Sequence, residues 1–118
     1  MPRDPRDFLP LKPVDLELLL ALSDEERHGY GLVQEIARRT DGLVVLDAGN
    51  LYRVIKRLAD DGLLAESDRR AAPDLGNERR RYYRLTALGG RVLGAELQRL
   101  RELLGSPAVR AASRRFAT

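Results

Sequence analysis

Apolar positions along the chain fall into helical stripes separated by short polar breaks. From Val14 to Ser23 (VDLELLLALS), Leu16, Leu19 and Leu20 form one stripe, and Leu18 and Leu22 widen it. This predicts a helix buried over much of its surface, ended by the run Asp24–Arg27. The glycines of HGYG (28–31) mark a turn or a close backbone approach. A second helix follows with Leu32, Val33, Ile36 and Ala37 on its apolar face. It stops at Asp41-Gly42, with Arg38 and Arg39 in the last turn, where the helix dipole favours cations. Leu43–Leu46 suits a short extended bridge. Asp47 is a good N-cap for a third helix, and Gly62 a good terminator.

Leu63–Asp68 and Arg80–Leu85 then have strand composition, joined by a loop at 69–78 (RRAAPDLGNE) with Pro, Gly and Asn. Alternation points Tyr83 and Leu85 inward, Tyr82 and Arg84 outward. Thr86 caps a last long helix whose first turns are weakened by three glycines before Ala95. Its leucines at 93, 97, 100 and 104 repeat like a coiled-coil seam. After Gly105, Ser106-Pro107 restarts a short helix to about Arg115. The first 13 residues hold four of the six prolines and suit an arm rather than a helix, with Phe8, Leu9 and Leu11 able to pin it to the body.

The order helix, helix, helix, strand, basic loop, strand, helix is that of a mainly α chain with a small β-hairpin, the winged helix-turn-helix, followed by a C-terminal dimerisation helix. It divides as an arm at 1–13, a DNA-binding domain at 14–85 and a dimerisation helix and tail at 86–118. A helix that follows the last strand of so small a domain has little core left to cover. A seam of Leu93, Leu97, Leu100 and Leu104 is therefore expected to meet a second copy of the chain.

The third helix is the informative one. At about 100° per residue, Leu51, Val54, Ile55, Leu58 and Ala59 share one arc. Asn50, Arg53, Lys56 and Arg57 share the opposite arc, with Tyr52 at the boundary. The first arc must face the core, so the second points outward, as in a recognition helix. Arg can bond a guanine edge bidentately and Asn an adenine edge, while Lys and Tyr bind phosphate. Asp60 and Asp61 sit at the far end of the helix and are expected outside the groove. Arg69, Arg70, Arg79, Arg80 and Arg81 lie in or beside the hairpin loop, where several cations fit phosphate contact or minor-groove insertion.

Charge sharpens this picture. The net charge is +3 over 118 residues. Residues 1–49 hold 6 Lys/Arg against 10 Asp/Glu, and residues 50–118 hold 15 against 8, so the positive half begins with the third helix. A charge run can be only a solvated face, but this asymmetry also suits a polyanion. The chain has no Cys and one His, which removes thiol chemistry, Cys-ligated zinc and a histidine metal triad. No phosphate-binding loop or HExxH motif is present, and Asp and Glu are expected to be scattered on helix surfaces. These features argue against an enzyme, a metal site or a bound cofactor. His28 is expected to be a structural hydrogen-bonding residue and Tyr30 to pack between helices. No signal-peptide layout or membrane-length apolar run occurs, so a cytoplasmic protein with no membrane partner is expected. The competing class is a winged helix that docks an acidic protein. Its face should carry exposed aromatic and aliphatic side chains, whereas this one carries Asn, Arg and Lys.

Three stretches, HGYG at 28–31, LYRVIKRLADDGLL at 51–64 and RRYYRLTALG at 80–89, occur in the order and spacing of the PadR family. Over roughly residues 9–104 the chain resembles these transcriptional regulators. The resemblance implies a homodimeric, usually repressing regulator on a pseudo-palindromic operator in double-stranded DNA, in some relatives released by a small-molecule effector. The single short C-terminal helix is similar to the compact branch of the family. Asn50 stands where members often have Thr, which changes the base or phosphate met at that position. Relatives that sandwich flat drugs at the dimer interface use Trp, and this chain has none.

Overall fold

A computed structural model describes residues 3–70 and 81–117, with the backbone alone at Arg69 and Arg70. The 71–80 segment, most of the expected hairpin loop, lies outside the described residues. The helices are α1 (Pro13–Ser23), α2 (Gly29–Arg39), α3 (Ala48–Asp60), α4 (Ala87–Leu104) and α5 (Pro107–Arg115). The strands are β1 (Arg27–His28), β2 (Leu64–Arg70) and β3 (Arg81–Leu85). They form one antiparallel sheet in the order β1-β3-β2. The expected hairpin is therefore the larger part of a three-stranded sheet. Two residues of the DEER-HGYG junction supply the third strand, too short to show any alternation of their own. The arm also departs from expectation, because Pro5–Phe8 form a 3-10 turn capped by the Asp4 side chain.

The core is the aliphatic cluster the stripes outlined. Leu18, Leu19, Leu22, Leu32, Ile36, Leu51, Ile55 and Leu58 are all buried, joined by Leu63, Leu64, Tyr83, Val92 and Leu93. Phe8, Leu9 and Leu11 pack against it, so the arm is pinned as expected. Burial pushes the Tyr83 phenol above its ordinary range.

Caps set the helix boundaries. His28 Nδ1 accepts from Gly31 N–H at 3.0 Å to start α2. The Asp47 carboxylate accepts from Asn50 N–H at 2.8 Å to start α3. Thr86 Oγ1 accepts from Gly89 N–H at 2.9 Å and donates to the Gly62 carbonyl at 2.6 Å, which ties the start of α4 to the end of α3. Gly62 adopts φ +81°, the left-handed conformation that ends a helix at low cost only in glycine.

The glycines at the head of α4 have a reason that propensity hides. A Cβ at Gly89 would sit 1.9 Å from the Leu63 carbonyl oxygen, so α4 reaches the α3–β2 junction only with glycine there. In the HGYG stretch, a Cβ at Gly29 would meet the Tyr52 hydroxyl at 2.9 Å, a close approach, whereas one at Gly31 would make only ordinary contact with the His28 ring. Tyr30 is not packed between helices. It is 59% exposed on the outer side of α2.

Candidate nucleic-acid interface

α3 is built as its pattern requires. Leu51, Ile55 and Leu58 are buried and Val54 half-buried, while Asn50, Tyr52, Arg53 and Lys56 are exposed. Ala59 falls outside the core arc and is exposed. Asn50 donates through Nδ2 to Asp47 Oδ2 at 2.9 Å, so the capping carboxylate also orients the first polar side chain of the outer face. Tyr52 is half exposed, with its hydroxyl against Gly29 of α2. Arg53 is exposed and, among the described residues, its side chain has no hydrogen bond or ion pair. Lys56 pairs with Asp60 one turn on at 3.0 Å, both side chains well exposed. Such a pair contributes only about 0.3–0.5 kcal/mol and readily exchanges for another anion.

Arg57 differs from its neighbours on the wheel. Its guanidinium binds Asp15 of α1 through two hydrogen bonds, 2.6 and 2.9 Å, and the Asp15 side chain is 6% exposed. The hydrogen bonds to Asp15 hold the Arg57 guanidinium above its ordinary pKa. The wheel put Arg57 with the outward residues because helical angle alone cannot show a neighbouring helix with a carboxylate on that flank. A signal was present: an acidic residue inside the oily α1 stretch needs a cationic partner if it is buried.

Two more carboxylates expected on helix surfaces are also buried. Glu35 on α2 is ringed by Arg27, Arg38 and Arg39, and the Arg38 hydrogen bonds lead in lowering its pKa to about 2. Glu96 on α4 accepts from the Leu11 backbone N–H at 2.8 Å and pairs with Arg99, which holds its carboxyl below the usual range. These groups complete the scaffold of the helix-turn-helix and belong to no outward face.

On the hairpin, Arg81 is exposed and faces Glu66 across the strands at 3.8 Å. The pairing slips between Glu66 and Arg70, a bulge or other irregularity in the β2–β3 ladder. Arg84 points outward from β3, exposed, its side chain without a hydrogen bond or ion pair among the described residues. Tyr82, half-buried, sets its ring edge-on to His28 at 5.3 Å. The side chains of Arg69, Arg70, Arg79 and Arg80 lie outside the described residues. The structure thus gathers Asn50, Tyr52, Arg53 and Lys56 on one helix face, leaves Arg81 on a separate element, and gives Arg57 to α1.

The expected leucine seam also divides. Leu93 is 6% exposed within its own domain core and Leu97 packs against that core, whereas Leu104 is 68% exposed. Leu100 is half-buried and Leu103 exposed. The coiled-coil spacing reflected two jobs on one helix, an upper half that closes the domain and a lower half that leaves it.

The family model described as "Transcriptional regulator PadR-like family" matches residues 18–95, from the middle of α1 into α4. The chain belongs to the PadR-like family of transcriptional regulators. It is therefore a DNA-binding regulator of transcription rather than an enzyme. A PadR-family assignment also agrees with individual relatives. The chain is 37% identical over 90 residues to a transcriptional regulator of Mycobacterium tuberculosis, an alignment covering 76% of this chain and 78% of that one. It is 33% identical over 76 residues to an uncharacterized protein of Lysinibacillus sphaericus, covering 64% of this chain and 67% of the relative. Solved structures share the fold at lower identity. A PadR family transcription regulator from Clostridium difficile superposes with a TM-score of 0.65 at 21% identity, over 91% of this chain and all of that one. RosR of H. salinarum does so at 0.67 and 21%, over 92% and 91%. No helix among the described residues is long and apolar enough to cross a membrane.

Proposed function

We propose that this PadR-family chain is a cytoplasmic homodimeric repressor that places one α3 in each half-site of a pseudo-palindromic operator. The observation that carries the reading is the outer face of α3. Arg53 is exposed and unpaired among the described residues, flanked by Asn50 and Lys56, whose own side-chain bonds are to exposed, local carboxylates. A free guanidinium on an amphipathic helix that caps cleanly and packs on one side has the chemistry to bond a guanine edge in the major groove. In this reading Tyr52 and Lys56 meet phosphates, and Arg69, Arg70, Arg79, Arg80 and Arg81 give the hairpin its sequence-independent grip. Arg57 is left out of the DNA contacts because Asp15 holds it. Residues 86–118 supply the dimer contact through the exposed leucines of α4. Release by a small-molecule effector belongs to the same reading; two cavities among the described residues hold about 150 and 160 Å³, below the roughly 300 Å³ of ordinary ligand sites.

The test is a titration of the purified protein against the DNA upstream of its own gene and against unrelated duplex, at several salt concentrations. The expected result is binding of one dimer per site, preferring the first by a factor of roughly 10³ or more. Equal, steeply salt-dependent binding to both duplexes would move the operator elsewhere. No binding at low salt would overturn the reading in favour of docking on an acidic protein.

A further inference from the structure

The N-terminal segment touches both ends of the machinery. At one end, Leu11 N–H donates to Glu96, a carboxylate only 1% exposed on α4. At the other, the Arg3 guanidinium donates to the Asp61 carbonyl at 3.0 Å, capping the C-terminal end of α3, and lies 5.6 Å from the centre of the Phe8 ring. Four residues past Leu11, Asp15 grips Arg57 in the last turn of α3 through two bonds. Between the two attachments to α3 lies a partly open cavity of about 150 Å³, lined by Phe8, Leu11, Asp15, Arg57 and Leu58. The end of α3 is therefore held on this side by directional polar bonds rather than by continuous close packing. Polar bonds of this kind fix angle, and the angle of a recognition helix decides which base edges its side chains reach.

We propose that residues Arg3–Asp15 form a strap that orients α3 on DNA, with Asp15 as a positioning residue acting through Arg57. The strap is anchored on α4 by Glu96, so the seating of the helix proposed for dimerisation is linked to the angle of the helix proposed for base contact. The inference rests on the reading of α3 as the recognition helix. It differs from a phosphate-contact role for Arg57 in a measurable way. Removing the Asp15 charge frees Arg57: a positioning role then costs specific binding, whereas a contact role strengthens binding to every duplex.

The experiment uses the full chain and a duplex selected by the wild-type protein from a random pool, with an unrelated duplex beside it. Asp15→Asn is expected to weaken binding to the selected duplex roughly 2- to 30-fold, leaving affinity for unrelated DNA and its salt dependence unchanged. The double variant D15N/R57Q should lose no more than D15N, because Asp15 acts through Arg57. Arg3→Ala removes an exposed side chain and keeps the test open if D15N fails to fold. It should reduce the same preference and speed amide exchange in the last turn of α3. Tighter binding of D15N to all duplexes, further loss in the double variant, or unchanged preference in both D15N and R3A would overturn the proposal. If the wild type selects no duplex at all, the recognition-helix reading itself fails, which is distinct from a wild type that selects a site and a D15N variant that binds it equally well.

Discussion

Gly89 and Arg53 mark the two extremes of what one side chain does here. At Gly89 the missing Cβ is the point: an added carbon would stand 1.9 Å from the Leu63 carbonyl oxygen, and that oxygen belongs to a backbone which also accepts from Thr86 N–H. Neither side can yield without breaking the α3–α4 junction. Gly89→Ala is expected to cost about 3 kcal/mol or more, at the upper end of overpacking effects, measured by chemical denaturation. The Arg53 side chain contributes nothing visible to the fold, since it has no hydrogen bond or ion pair among the described residues. Arg53→Ala should leave the free energy of unfolding within about 0.5 kcal/mol of the wild type. It should weaken operator binding by about 1–3 kcal/mol and relax preference at one base pair. A variant with unchanged affinity and preference would show that α3 presents a different face to DNA. Arg53 was legible from the wheel because its neighbours place no carboxylate beside it. Gly89 was legible only as a poor helix former.

At the scale of the element, α2 carries a carboxylate that couples its stability to pH. In the unfolded chain Glu35 takes up its proton near the ordinary value of 4.5; in the fold, with Arg38 leading and Arg27 and Arg39 adding, it resists until about 2. The folded value is the lower one, so the contribution is complete above about pH 5 and is lost as pH falls from there towards 2. Glu96 shifts in the same direction on α4, through Arg99 and the Leu11 N–H. Glu35→Gln is expected to lower stability near neutral pH, where Arg38 and Arg39 lose their carboxylate and Arg27 keeps Asp24 and Glu25. The variant should also lose less than the wild type between about pH 5 and pH 3. Thermal midpoints at the two pH values measure both effects, and equal acid sensitivity in the two proteins would rule out Glu35 as a source. The helices themselves were legible because caps and apolar periodicity are local. The burial of Glu35 was not, because it depends on how Arg27 of β1 closes over α2 beside the in-helix partners Arg38 and Arg39.

The whole molecule is longer than one core requires. Its radius of gyration is 16.4 Å, against roughly 13–14 Å for a compact chain of this length. The described C-terminal region explains part of this, since α5 has no buried residue and Leu103, Leu104 and Phe116 are exposed. Apolar groups on a projecting helix are what a second copy would cover. Replacing Leu100 and Leu104 together with Glu is expected to yield folded monomers in sedimentation and to abolish operator binding while retaining the thermal transition of the domain. A stable dimer in that variant would place the interface elsewhere. Leu93 and Leu97 are poor choices for this test, because changing them damages the domain's own core.

What the sequence determined by itself is what is written in neighbouring residues: the order of the five α-helices and the two hairpin strands, the caps at Asp47 and Thr86, the stops at Gly42 and Gly62, and the polar outer face of α3. Those depend on hydrogen bonds spanning three or four residues and on periodic apolar spacing. The tertiary structure alone decided which charges serve the scaffold, where the seam divides, and how β1 joins the sheet. Asp15 finds Arg57 across 42 residues and Leu11 finds Glu96 across 85. No period or spacing encodes such a pair, because its partners become neighbours only when the core between them has closed.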